Sequence, residues 1–235
     1  MSGKLRWLSV AFIEYVSQEG KRVLFDPWTA AQGNELCPFG EEEFLDTDLI
    51  LVSHDHFDHI SSAAPLCKKS NALLGGPDES MHRLYNEEGL SPESVVNNGN
   101  GYIVGGGFEN DWIKVVSTPA HHSSDTSAAI GTIAIFKDGT TLYHTGDTSI
   151  VAEMEIYGRL YPMDAVFLPV FGRCMMDYIQ ATEAVRLLRP KKVFPIHFDC
   201  NEKPLFERDR FAEYCSQKNP DVEVIKTEMN IWYYI

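Results

Sequence analysis

Apolar residues along this chain fall into short runs of four to seven positions, rich in β-branched side chains and bounded by turn formers. They read "KRVLFDP" (21–27), "DLILVSH" (48–54), "WIKVVSTPA" (112–120), "SAAIGTIAIF" (127–136), "TTLYHTGD" (140–147), "DAVFLPV" (164–170) and "KKVFPIH" (191–197). Each run predicts a strand. In "LILV", "AVFLPV" and "KVFPI" the apolar character is continuous rather than alternating, which predicts strands covered on both faces. Helical spacing appears between some of them. The clearest case is "DYIQATEAVRLLRP" (177–190), where Ile179, Ala184, Val185 and Leu188 form an apolar stripe and Pro190 stops the helix. Helices outside packed sheets, an α/β architecture, follow from this pattern.

The glycine- and asparagine-rich stretch "VVNNGNGYIVGGGFEND" (95–111) reads as strands joined by tight turns. Its Gly105, Gly106 and Gly107 precede neither a Lys-Ser/Thr pair nor a helix start, so a phosphate loop is not indicated. No fixed-period repeat and no low-complexity tract divides the chain. A single domain over 1–235 is the simplest organisation, and 235 residues suffice for a core without staples. The closing "NIWYYI" (230–235) is apolar enough to predict burial, in a last core strand or a subunit contact.

Composition narrows the classes. The net charge of −14 offers no basic patch for nucleic acid or an anionic membrane surface. Five cysteines, Cys37, Cys67, Cys174, Cys200 and Cys215, are scattered and contain no CxxC, which fits neither a disulfide framework nor a thiolate zinc site. The first twenty residues carry only a brief apolar run, interrupted by Glu14, so neither a signal peptide nor a membrane span is expected. A cytoplasmic protein acting on a small molecule is the expectation. Self-assembly into a homo-oligomer is compatible with it.

The chemistry sits where the strands end. "SHDHFDHI" (53–60) holds three histidines and two aspartates in eight residues, and "TPAHHS" (118–123), "YHTGDT" (143–148) and "FPIHFD" (194–199) also run from a strand into His or Asp. Ligands at strand ends of a rigid scaffold can converge on one point whatever their separation in sequence. His54 and His56, two residues apart, face the same side of an extended segment and can share one cation; Asp58 and His59 lie where a turn could aim them at a second.

These four motifs, in this order, resemble the metallo-β-lactamase superfamily, and within it the small metal-dependent hydrolases similar to ascorbate-6-phosphate lactonase. The resemblance covers about residues 21–199. It implies a four-layer αβ/βα sandwich with a dinuclear centre: His54, His56 and His122 on one cation, Asp58, His59 and His197 on the other, and Asp147 bridging. The family pattern Pro-Ala-any-His-Ser/Trp selects His122 over His121. Two divalent cations are implied, Zn2+ foremost, with Mn2+ or Fe2+ as the alternatives that nitrogen and oxygen ligands also suit. The implied activity is hydrolysis of an ester, lactone or phosphodiester by a metal-bridging hydroxide, with Asp58 and Asp147 as the catalytic carboxylates.

Around this set, Asp26 of "FDP" could accept the second N–H of a ligating imidazole, or simply start a turn; His144 could reach the same place or be structural. Arg173 of "PVFGRCMMD" (169–177) offers a fork for a carboxylate or phosphate, and Trp28 an apolar wall, with a surface ion pair and a core tryptophan as the respective alternatives. His82 reads as a surface residue. Departures from the family pattern fall at Phe171, which replaces a glycine, and at Ser9 and Val10, where a Gly-His pair is usual. The competing functions are a nuclease or phosphodiesterase, disfavoured by the negative charge, and a non-catalytic metal-binding protein of the same fold.

Overall fold

A computed structural model describes residues 2–200 and 202–235. In chain order the strands and helices are β1 (Lys4–Ser9), β2 (Phe12–Val16), β3 (Arg22–Phe25), β4 (Leu49–Leu51), α1 (Phe57–Ile60), α2 (Ala63–Ser70), β5 (Leu73–Gly75), α3 (Asp78–Glu88), β6 (Gly107–Glu109), β7 (Ile113–Pro119), β8 (Ile130–Phe136), β9 (Thr141–His144), α4 (Met154–Leu160), β10 (Ala165–Pro169), α5 (Tyr178–Leu188), β11 (Lys192–Ile196), α6 (Pro204–Lys218), β12 (Glu223–Val224) and β13 (Tyr233–Tyr234). All seven apolar runs form strands.

They build two mixed sheets, ordered β13-β1-β2-β3-β4-β5 and β12-β11-β10-β9-β8-β7-β6. Side chains from both inner faces share one core, among them Ile13, Phe25 and Leu51 from the first sheet and Ile130, Phe167 and Phe194 from the second. The outer face of the first sheet is covered by α2 and α3 through Ala63, Leu66, Met81 and Leu84. The outer face of the second is covered by α4, α5 and α6 through Met154, Ala184, Val185 and Phe211. Helix, sheet, sheet and helix are therefore stacked as the expected αβ/βα sandwich. Strands covered on both faces explain the continuous apolar runs in "LILV" and "KVFPI".

Three local expectations are corrected. Helix α5 starts from an Asp177 capping box with Gln180, but Ile179 is 48% exposed; the buried stripe is Ala181, Thr182, Ala184, Val185 and Leu188. Ile179 lies in the first turn, off the 3.6-residue stripe that meets the sheet. The stretch 95–111 contains only β6, because positive φ at Asn97, Asn98, Gly99, Gly101 and Gly105 breaks extended pairing before it. At the other end of the chain, "NIWYYI" supplies a two-residue edge strand, with Ile231 and Tyr234 left 47% and 65% exposed. An edge strand is covered by backbone pairing on one side alone, here by β1.

Parallel pairing of β3 with β4, and of β9 with β10 and β11, points their C-terminal ends the same way. Two antiparallel steps, β7 to β8 and β8 to β9, return β7 to that direction. The residues following β3, β4, β7, β9 and β11 thus leave their sheets together. Those are the residues of the four motifs and of "FDP".

Candidate metal centre

His54 follows β4, and Asp26 follows β3 on the neighbouring strand. Asp26 takes a positive φ of 45°, and its N–H donates to the Leu51 carbonyl at 2.9 Å. This turns its carboxylate back under the His-rich loop. Its Oδ1 accepts the Ser53 N–H at 2.7 Å, and its Oδ2 accepts from the Ser53 hydroxyl at 2.6 Å and from His59 Nδ1 at 2.8 Å. The Ser53 hydroxyl also lies 2.9 Å from His54 Nδ1. One buried carboxylate thereby fixes the rings of His54 and His59 with their Nε2 atoms facing away from it. Burial raises the Asp26 pKa, but the facing His59 and His144 rings outweigh this and hold it below the usual carboxylate value.

The loop then bends into α1, a single turn, which carries Asp58 and His59. His54 Nε2 is 2.9 Å from His56 Nδ1, so the two side chains share one side of the extended segment as their spacing predicts. His122 comes from the loop after β7, and His197 from the loop after β11, where it adopts a φ of 59°. Asp147 follows β9. Its Oδ2 lies 3.4 Å from His59 Nε2, 3.6 Å from His122 Nε2 and 3.3 Å from His197 Nε2. Asp58 Oδ2 lies 3.5 Å from His197 Nε2. Three sets of ligand-type atoms cluster within 4.8 Å: His54, His56 and His122; His54, His59 and Asp147; Asp58, His59 and His197.

Whether such a cluster suits cations is tested by its unpartnered atoms. His59 Nε2, His197 Nδ1 and Nε2, and Asp147 Oδ1 are buried without a hydrogen-bond partner. Buried polar atoms are otherwise nearly always paired, so the orphaned His59 Nε2 and His197 Nε2, both facing the Asp147 carboxylate, fit a bound ion. Charge agrees. Burial, aided by neighbouring His59, brings the His54 pKa down to about 3, which keeps the ring neutral and able to ligate. Burial pulls His59 and His197 the same way, but Asp147 outweighs it, lifting His59 to about 10 and His197 well above its ordinary value. The carboxylates therefore demand positive charge at this point. The residues present fit a divalent metal centre.

His121, the competing histidine, is exposed and belongs to none of the three clusters, and its backbone N–H donates to Thr148 Oγ1 at 2.9 Å. Substituting each to Ala separates them: His122→Ala is expected to lose bound metal and His121→Ala to keep it, read as metal per chain after gel filtration. The reverse pattern would reassign the ligand. Likewise Asp26→Ala is expected to weaken metal affinity by about 10- to 100-fold in a competition titration, because it frees two rings at once. Unchanged affinity would leave Asp26 as a turn former.

His144, 3.8 Å from Asp26 Oδ2, is buried against the sheet. Its Nε2 donates to the Ala11 carbonyl at 2.8 Å, and the Gly146 N–H donates to its Nδ1 at 3.2 Å. It thus shapes the turn that presents Asp147. His82 is half-exposed on α3, 3.3 Å from Asp78.

Beside the cluster opens a cleft of about 550 Å3, lined by His56, Phe57, Asp58, His122, Ser123, Asp125, Asp147, Phe171, Cys174, Met175, His197 and Cys200. Neither Arg173 nor Trp28 is among the lining residues. Arg173 is exposed, 3.5 Å from Glu202 and 5.8 Å over the Phe171 ring. Trp28 stands behind Phe57, edge to face at 5.3 Å, with its Nε1 donating to the Gln32 carbonyl. Phe171, where the family pattern has a glycine, forms part of the wall 5.7 Å from the His197 ring.

Some supporting residues were invisible in the pattern. Asp55 accepts from Ser124 Oγ, Thr126 Oγ1 and, at 2.8 Å, the Asp125 N–H, tying the His-rich loop to the loop behind His122. Burial opposes its ionisation, but those hydrogen bonds bring its pKa to about 2. Asp199 Oδ2 accepts the Val10 N–H at 2.7 Å, while the Val10 carbonyl accepts the His197 N–H at 2.8 Å. The β1–β2 turn, altered at Ser9 and Val10, so braces His197. The signal for Asp55 and Asp199 is adjacency to a motif histidine, which does not specify a role.

Residues 21–198 match a family model described as the beta-lactamase superfamily domain. A UPF0173 metal-dependent hydrolase of Nitratidesulfovibrio vulgaris is 39% identical over 208 residues, 88% of this chain and 84% of that protein. One of Sulfolobus acidocaldarius is 34% identical over 231 residues, covering 97% of this chain and 98% of its own. Among solved structures, Igni18, a metallo hydrolase from the archaeon Ignicoccus hospitalis, superposes with a TM-score of 0.84 at 28% identity over the whole of both chains. The chain belongs to the metallo-β-lactamase superfamily and, within it, to the UPF0173 metal-dependent hydrolases.

Proposed function

We propose that the chain is a dinuclear hydrolase that cleaves an ester, lactone or phosphodiester bond of a small soluble substrate. The observation carrying this reading is the position of Asp147 Oδ2, within 3.6 Å of imidazoles from three separate segments. His54, His56 and His122 would hold one cation, Asp58, His59 and His197 the other, with Asp147 between them. Zn2+ is the first choice and Mn2+ or Fe2+ the alternatives, since all seven side chains offer nitrogen or oxygen. When bound, such cations supply Lewis acidity, polarising a carbonyl or phosphoryl oxygen and making water a usable nucleophile near neutral pH.

The side chains do the rest. Asp58 stays ionised, since burial, which raises its pKa, is outweighed by the facing His197 and His59 rings, which bring it to about 2. With those two rings holding it ionised, its carboxylate can accept a hydrogen bond from the attacking water and orient it toward the substrate. Asp26, through Ser53 and His59, keeps the ligand rings from rotating. Phe57, Phe171 and Met175 give the cleft beside them an apolar wall. A net charge of −14 supports a small-molecule substrate over nucleic acid.

Among the described residues no helix is long and apolar enough to cross a membrane.

The test is a panel of aryl esters, lactones and phosphodiesters assayed with zinc-loaded protein. Turnover of at least one class that a chelator abolishes and zinc restores is the expected result. Silence across the panel, with metal demonstrably bound, would instead favour a metal-binding protein without turnover.

A further inference from the structure

We propose that the cleft selects substrates whose group beyond the scissile bond is apolar and uncharged, an alkyl or aryl acyl chain rather than one ending in carboxylate or phosphate. The proposal rests on the hydrolytic reading of the metal centre and concerns the part of the cleft that the centre does not use. Setting aside the proposed ligands, the lining is Phe57, Phe171, Met175, Cys174, Cys200, Ser123 and Asp125. Among the described residues it contains no Lys or Arg. An anionic tail entering here would lose its water without gaining a partner, a penalty that binding sites for carboxylates and phosphates avoid with a basic residue.

Arg173, next in sequence to the lining Cys174, is matched by Glu202 at 3.5 Å, both exposed, and Arg83 faces the buried Asp55 at 3.5 Å. The one charged side chain in the lining outside the ligand set is Asp125. Its backbone N–H is anchored at 2.8 Å to the buried Asp55, so the segment that carries this negative charge is held in place.

Apolar recognition has its own marks. Phe57 is 67% exposed although it sits at the metal centre, in the helical turn that carries Asp58 and His59. Trp28 braces it edge to face at 5.3 Å. A large aromatic held open to solvent by a second aromatic is a surface prepared to bury something apolar. Phe171, beside His197, and Met175 provide the facing contacts.

Two esters with the same scissile bond and chain length decide the matter: 4-nitrophenyl hexanoate, and the 4-nitrophenyl monoester of adipic acid, which adds a terminal carboxylate. With zinc-loaded protein the hexanoate is expected to have the higher kcat/KM by about tenfold or more. Phe57→Ala should lower hexanoate kcat/KM about fivefold and shrink that preference, and Asp125→Lys should raise the adipate monoester's rate relative to the hexanoate's. Equal rates, or a preference for the adipate monoester, would overturn the proposal.

Binding supplies a readout that needs no turnover. Hexanohydroxamate and adipic monohydroxamate are titrated calorimetrically into zinc-loaded protein, and tighter binding of the hexano compound is expected. If neither ester is cleaved above the chelated control, the hydrolytic reading fails for esters while the hydroxamates still decide selectivity. Equal binding, tighter binding of the anionic hydroxamate, or no binding of either overturns the proposal.

Discussion

Asp147→Asn is expected to fold and to lose hydrolysis by roughly 10³-fold, several kcal/mol of transition-state stabilisation. The substitution keeps the side chain's volume and removes its charge. Asp147 is 3% exposed and sits on a turn that tolerates little change: Gly146 before it has a φ of 62°, and a Cβ there would lie 2.5 Å from the Ile130 carbonyl and 2.9 Å from Ser53 Cβ. The backbone therefore delivers residue 147 to one place. An amide oxygen there remains a weak ligand, but the charge balancing His59, His122 and His197 is gone. Metal content is expected to fall together with activity, while circular dichroism stays that of the parent. Full hydrolytic activity in a folded Asp147→Asn protein would remove Asp147, and with it the dinuclear reading, from the account.

The second large effect is on stability. Stripping metal with a chelator is expected to lower Tm by roughly 10 °C, and restoring Zn2+ to reverse it. A ligand present at about a thousand times its dissociation constant stabilises the native state by about 4 kcal/mol, and in a chain of this size each kcal/mol moves Tm by about 2 to 4 °C. The structural reason is the set of buried atoms without partners: His59 Nε2, His197 Nδ1 and Nε2, and Asp147 Oδ1. Left unpaired they cost stability, and bound cations satisfy His59 Nε2, His197 Nε2 and Asp147 Oδ1, one ligand atom from each side chain. A Tm that ignores both chelator and zinc, measured by scanning calorimetry, would mean that the cluster satisfies itself with protons.

Strands β3, β4 and β7 to β11 were legible because their apolar runs are continuous or β-branched and end at turn formers. The ligand candidates were legible because His and Asp recur where those runs stop. Convergence itself was not in the pattern of any one segment; it came from the parallel direction of β3 and β4 and of β7, β9 and β11, which local sequence does not encode. Ile179 was misplaced because one apolar residue in the first turn mimics the stripe beneath it. Of the two expectations for the tail 230–235, the central core strand is the one corrected, because apolar composition does not distinguish an edge strand, half of which faces outward from the chain, from a central one. Asp55 and Asp199 escaped notice because each bonds to chain far off in sequence, at residues 124–126 and at Val10. Arg173 and Trp28 lie within reach of the cleft in sequence, but ion pairing with Glu202 and stacking behind Phe57 place both outside its lining.

The central claim is that five imidazoles and two carboxylates hold two cations. Metal per chain, determined by plasma mass spectrometry on protein purified without added metal or chelator, tests it most directly. The account predicts close to two equivalents of Zn, Mn or Fe, restored by reconstitution if purification depletes them. A value near zero that persists after reconstitution with each of these metals would contradict it.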